Sequence, residues 1–102
     1  MATMNRYLVL IGDLEASRAM DSEEREEAQI KLQRIIEEVG EMSGDFASPP
    51  TITLGDEFQV VYKRAQNLFL HIWRIQAAMY PIRIRFGLGL GTISTQINPR
   101  QA

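Results

Sequence analysis

Cysteine is absent from this 102-residue chain, and histidine and tryptophan occur once each. Without a thiol the chain forms no disulfide and offers no thiolate nucleophile. With His71 as the lone histidine, a Cys/His zinc site is excluded as well. Long apolar runs are also lacking, since none approaches the roughly 20 residues that cross a bilayer. Neither sign of charge dominates. The 11 basic and 13 acidic residues are interspersed and leave a formal net charge of −2. That balance gives no basic, aromatic-laced patch for direct nucleic-acid binding and no surface drawn to a membrane. The opening stretch MATMNRYLVLIGDLE has one early arginine and no small-residue cleavage site before the acidic residues begin. It reads as a strand rather than a signal peptide, so the expected location is the cytoplasm.

What is present is a normal globular composition, 45% hydrophobic, in a length that suits one small domain, residues 1–102. Tyr7 to Ile11 is continuously apolar and predicts a buried strand ending at Gly12-Asp13. A polar connector, LEASRAMDS, follows. Asp21 is an N-cap candidate with Glu24 three residues later, a capping-box spacing. Ala28, Leu32, Ile35, Ile36 and Val39 then recur at helical spacing, predicting a helix from Ser22 to about Met42 with a charged outer face. SGDFASPP breaks that helix and turns the chain. Thr51 to Leu54 and Phe58 to Tyr62 read as short strands. A second helical pattern places Ala65, Leu68, Phe69, Ile72, Ile75 and Met79 on one side, and Pro81 ends it. IRIRFGLGLGTIS is a long alternating strand, with Ile82, Ile84, Phe86, Leu88 and Leu90 on one side and Arg83, Arg85, Gly87, Gly89 and Gly91 on the other. There is no internal repeat or linker.

The order β-α-β-β-α-β predicts an α+β, ferredoxin-like split βαβ fold: an antiparallel sheet with both helices on one face. Right-handed crossovers set the first and third strands side by side at its centre. The uncovered face is expected to carry the two arginines, the glycine stripe and apolar residues such as Val9 and Val60. Such a face would seek a partner, either a second subunit in a homodimer or a missing C-terminal domain. Glycine weakens a strand interior, so its repeated use there suggests close approach by something else.

This topology brings Asp13, just past the first strand, to the same sheet corner as Asp56, in the turn before the third strand. Two carboxylates at one point repel unless a cation lies between them. Mg²⁺ suits such a corner, because it keeps several waters and binds through one or two carboxylates plus substrate phosphates. A pair of such ions about 4 Å apart can clamp a phosphoryl displacement. The plainer reading stands beside it: Gly55-Asp56 is also good two-residue hairpin chemistry, with glycine supplying the positive φ of a II′ turn. Glu57 and Glu15 are further candidate ligands or simply solvated carboxylates. Ser17 and Arg18 are placed to touch phosphate oxygens, although Arg18 would equally pair with an acidic neighbour. Arg83 and Arg85 could bind an anion, although exposed strand arginine is usually only a soluble face. His71 packs at the core edge, and Trp73 and Phe69 belong to core or interface. GLGLG lacks the strand-turn-helix context and the lysine of a phosphate loop.

Taken together, YLVLIGDLEASR, TITLGDEFQVVY and IRIRFGLGLGTIST resemble the SatD family of bacterial proteins across nearly the whole chain. That family is named for secretion and acid tolerance, and its members are typically longer, which implies that this chain is an N-terminal portion. More distantly, the same segments look like the catalytic core of class III nucleotidyl cyclases, with an echo of the GGDEF diguanylate cyclases. Asp13, Leu14, Ala16, Ser17 and Arg18 occupy the cyclase pattern D-I-x-G-S-T, with Ala for Gly and Arg for Thr. Gly55 and Asp56 match its second aspartate hairpin. Arg85, Phe86, Gly87, Leu88 and Gly91 match R-I-G-I-x-x-G. The resemblance implies Mg²⁺ or Mn²⁺ held by Asp13, Asp56 and the backbone carbonyl of Leu14, with a nucleotide as ligand. Departures weigh against cyclisation: Ile52 stands where cyclases carry a purine-reading lysine, and Leu54 replaces the leading glycine of GGDEF. The alternative is an inactive dimerisation or interaction module that has kept the fold.

Overall fold

The apolar run Tyr7 to Ile11 lies within a ten-residue strand, one of the two central strands of a four-stranded antiparallel sheet. The computed structural model describes residues 5–42 and 45–93. Its elements are β1 (Asn5–Leu14), a 3₁₀ turn (Ser17–Ala19), α1 (Ser22–Gly40), β2 (Phe46–Ile52), β3 (Glu57–Tyr62), α2 (Leu68–Met79) and β4 (Ile84–Ile93). The sheet order is β2-β3-β1-β4, the ferredoxin-like arrangement, and β1 runs antiparallel to both β3 and β4. No helix among the described residues is long and apolar enough to cross a membrane.

Side chains alternate along β1, and the alternation sorts the two faces. Leu10 and Leu14 are buried under the helices, in register with Val60 on β3 and with Leu88 and Ile84 on β4. Tyr7, Val9, Ile11 and Asp13 lie on the other face, beside Val61, Gln59 and Glu57 of β3 and Gly91, Gly89, Gly87 and Arg85 of β4. The open face therefore carries Val61 and not Val60, which is fully buried in the core. The sequence reading had the opposite parity for β3.

α1 starts where its cap chemistry says it should: the Asp21 side chain accepts from the Glu24 N–H at 2.8 Å. Its inner stripe is the expected one, Ala28, Leu32, Ile35, Ile36 and Val39. The core closes with Phe58, Val60, Tyr62, Leu68, Ile75 and Met79.

Several boundaries differ from the sequence expectation. β2 begins at Phe46, so Ser48, Pro49 and Pro50 lie inside a strand. They are tolerated because β2 is an edge strand whose register breaks on both sides of Ser48. β1 runs on through Asp13 to Leu14. Ala65 precedes α2, and Phe69 is 68% exposed rather than inside. Leu88 and Leu90 share the covered face but lie on the edge strand β4 and remain exposed. Residues 43–44 and the chain after Ile93, Ser94 included, lie outside the described residues.

Candidate functional site

Where β1 ends, the hairpin between β2 and β3 comes alongside. The Leu14 N–H donates to the Asp56 carbonyl at 3.0 Å, and the Glu15 N–H donates to the Arg83 carbonyl at 2.9 Å. These two bonds carry the β1 pairings one step past the regular ladders and fix the corner. The hairpin loop is longer than two residues: the Thr53 N–H donates to the Glu57 carbonyl at 2.8 Å, closing a loop that spans 53–56. Gly55 sits at φ 79, the left-handed region that glycine occupies without strain, so that part of the turn reading holds.

An open cleft of about 480 Å³ lies at this corner, lined by Asp13, Leu14, Ala16, Ser17, Arg18, Asp56 and Arg85. The structure thus brings Asp13, Asp56, Ser17 and Arg18 to one place, with the Leu14 backbone beside them. Asp13 lies within β1 rather than beyond it, directly opposite Glu57 on one neighbour and Arg85 on the other. Glu57 does not line the cleft, and Glu15 lies outside it on an exposed turn.

Each carboxylate already has a partner. Arg85 grips Asp13 through both oxygens, Nε to Oδ1 at 3.2 Å and Nη2 to Oδ2 at 3.3 Å. The Asp13 hydrogen bond holds the Arg85 guanidinium still more firmly protonated than usual. Ser17 Oγ donates to Asp56 Oδ2 at 3.0 Å. Ser17 is presented by the 3₁₀ turn, whose entry residue Ala16 has φ 61, a left-handed conformation costly for a residue with a Cβ. The turn is braced from behind by Arg25, whose Nε donates to the Ser17 carbonyl at 3.1 Å. Arg18 is exposed at the rim and has no hydrogen-bond or ion-pair partner among the described residues.

The pairing of Arg85 with Asp13 is what sequence reasoning missed. Strand alternation put Arg85 on the open face, but treating Asp13 as a residue beyond the strand hid the register that sets the two opposite each other.

Among the described residues no three His, Asp or Glu side chains converge as a metal cage. Two carboxylates with room for water and a phosphate oxygen form the donor set that Mg²⁺ accepts, since it seldom uses an all-protein cage. The residues present therefore fit such an ion, with the Arg85 guanidinium as its competitor for Asp13.

His71 stands apart from this corner. It is fully buried on the inner side of α2, its Nδ1 2.7 Å from Tyr62 Oη, and its Nε2 finds no hydrogen-bond partner among the described residues. It packs with Tyr62 and Phe46 as part of the core.

The family model described as SatD family matches residues 7–102 of the chain. No curated protein and no solved structure matches.

Proposed function

The chain belongs to the SatD family, and from that premise we propose that its corner cleft binds the phosphates of a nucleotide through a divalent cation, Mg²⁺ or Mn²⁺, at Asp13 and Asp56. The observation that carries the reading is the convergence of two carboxylates, two arginines and a serine hydroxyl from three separate stretches of chain on one cleft. Asp13 and Asp56 would supply hard oxygens to the cation, with the Leu14 carbonyl close by. Arg18 and Ser17 would take phosphate oxygens, for which a guanidinium fork is suited. Arg85 holds the seat beside Asp13 that a cation would take. Loading the cation therefore means exchanging one positive partner of Asp13 for another, and the freed guanidinium stays within reach of an anion. The cation, when bound, would neutralise phosphate charge. The chain's own residues orient the ligand and balance the site's charge. With isoleucine at position 52, where the distantly similar cyclases carry a purine-reading lysine, the reading extends to the phosphates and not to the base.

Calorimetry tests this with Mn²⁺ alone and with ATP and GTP in its presence. Wild type is expected to bind. Asp13→Asn and Asp56→Asn are each expected to lose at least about ten-fold in affinity, the loss that even a supporting outer residue of a metal site costs. Arg85→Gln is expected to tighten Mn²⁺ binding, because the competitor is gone. A folded wild type that binds neither cation nor nucleotide would end the reading.

A second reading, an interaction module that keeps the fold without the chemistry, is favoured by the open sheet face. Ile11 is 42% exposed there, and a Cβ placed on Gly89 or Gly91 would meet nothing within 4 Å. Among the described residues no packing explains those glycines, so a further protein surface is the natural claimant. Silent titrations would leave this second reading in place.

A further inference from the structure

Helix α2 is apolar on two opposite sides. One side, with Leu68, His71, Ile75 and Met79, is buried in the core. The other carries Phe69, Leu70 and Trp73 at 68%, 53% and 66% exposure, with Ala77 exposed among them, and is continued by the C-cap residue Tyr80 at 75%. Their spacing puts them on one helix surface. A solvent-facing helix surface is normally charged, as that of α1 is. In α2 the only Lys, Arg, Asp or Glu is Arg74, and it is drawn aside into an ion pair with Glu38 of α1.

We infer that this outer stripe of α2 is the surface through which two copies of the chain associate about a two-fold axis. Area supports a second copy. An aromatic side chain buries roughly 150–250 Å², so three aromatics this exposed, with Leu70 and Ala77, leave on the order of 500 Å² per chain to recover. A pair would bury about 1,000 Å², the size at which a specific interface becomes credible. The spacing is also self-complementary, as an isologous contact requires. With the axis passing at the level of Ile75, the Trp73 of each copy falls over the small Ala77 of the other, and Leu70 falls over Tyr80. A groove lined by Ile35, Trp73, Ala77 and Ala78 runs along the flank, rimmed by the Glu38–Arg74 pair, so a protruding ring finds an apolar seat with a polar edge.

The open sheet face is the weaker claimant for a second copy. Its Tyr7, Val9 and Val61 are already half-buried, and Asp13, Glu57, Gln59 and Arg85 interrupt it. Pairing through α2 also leaves the corner cleft free, because Asp13 and Arg85 face the other side of the sheet.

Trp73 is the chain's only tryptophan, so its fluorescence reports on the middle of the surface. The test combines light scattering and emission spectra of the full chain, diluted from roughly millimolar to roughly micromolar. The expected mass is twice 11.6 kDa at the top of the series, falling to 11.6 kDa on dilution, with the emission shifting to the red at the same midpoint. Phe69→Glu and Ala77→Glu both keep Trp73 and both alter exposed positions. Each is expected to show wild-type circular dichroism, monomer mass and exposed-indole emission throughout, and if one fails to fold the other carries the test. Ile11→Glu, on the open sheet face, is expected to leave association unchanged. A monomer at every concentration overturns the inference. So does an association that Ile11→Glu abolishes and Ala77→Glu does not, or one during which the emission stays constant.

Discussion

Gly12 shows how tightly a single position can be specified. A Cβ there would meet Phe58 Cε1 and Cζ at 2.4 Å and Ile84 Cγ2 at 3.3 Å. Phe58 cannot swing clear, since it is fully buried and packed edge-on against Phe86 with ring centroids 6.2 Å apart. Gly12→Ala is expected to destabilise by about 1–3 kcal/mol, the usual cost of forcing a methyl into a filled core. A lower urea midpoint at unchanged slope would show it. His71 is specified differently. Burial pushes its pKa below the ordinary histidine value, so the fold holds the ring neutral. The unfolded chain binds the proton more readily, and stability therefore rises with pH across this titration. Stability is complete above about pH 6.5 and is lost as pH falls below it, by at most about 1.4 kcal/mol per pH unit. His71→Leu should flatten that dependence and yet lower stability at neutral pH by about 1–3 kcal/mol, because the Tyr62 hydroxyl loses its partner. Denaturation curves at pH 5 to 8 decide it, and a wild-type stability indifferent to pH in this range would contradict the account.

Among the elements, the passage from α2 to β4 rests on one side chain. Gln76 donates through Nε2 to the Ile82 carbonyl at 3.1 Å and accepts from the Ile84 N–H through Oε1 at 3.1 Å. It thus ties the helix to the first residue of the strand across the Pro81 break. Gln76→Leu keeps the size and removes both bonds, leaving partly buried backbone groups unpaired. The expected cost is about 1–3 kcal/mol, with faster amide exchange at Ile84 as its local sign. Nothing in the sequence announced this role, since a glutamine on a helix face reads as solvated. The same limit applies to β2. Prolines signal breaks wherever a backbone N–H must pair, and only the strand's place at the sheet edge reverses that signal. Edge position belongs to the sheet and not to the segment. α1, by contrast, was fully legible, because its cap and inner stripe are local features.

At the scale of the molecule, the order of elements and the rule of right-handed crossovers were enough to place β1 beside β3. That adjacency brought Asp13 and Asp56 to one corner before any coordinates. What could not be read was register. A strand's period of 2 tells which residues share a face but not which neighbour each one meets, so the Asp13–Arg85 grip was invisible and Val60 fell on the wrong side. The outer stripe of α2 was legible only in part, since Phe69 and Trp73 read as core or interface alike. An apolar helix looks simply buried, and only the positions of α1 and the sheet reveal that one side was left uncovered.

One flank of the sheet differs from the other in a way that bears on how the protein meets other strands. At the β2 flank, Pro49, Pro50 and a broken register deny a newcomer a regular row of partners. At the β4 flank, no strand among the described residues pairs with the outer rim, and a ten-residue ribbon holds no proline, no lysine and a run of three alternate glycines. Proteins ordinarily blunt a rim of this kind. Here only one side is guarded, so any lengthening of the sheet by an added strand has a single direction open to it.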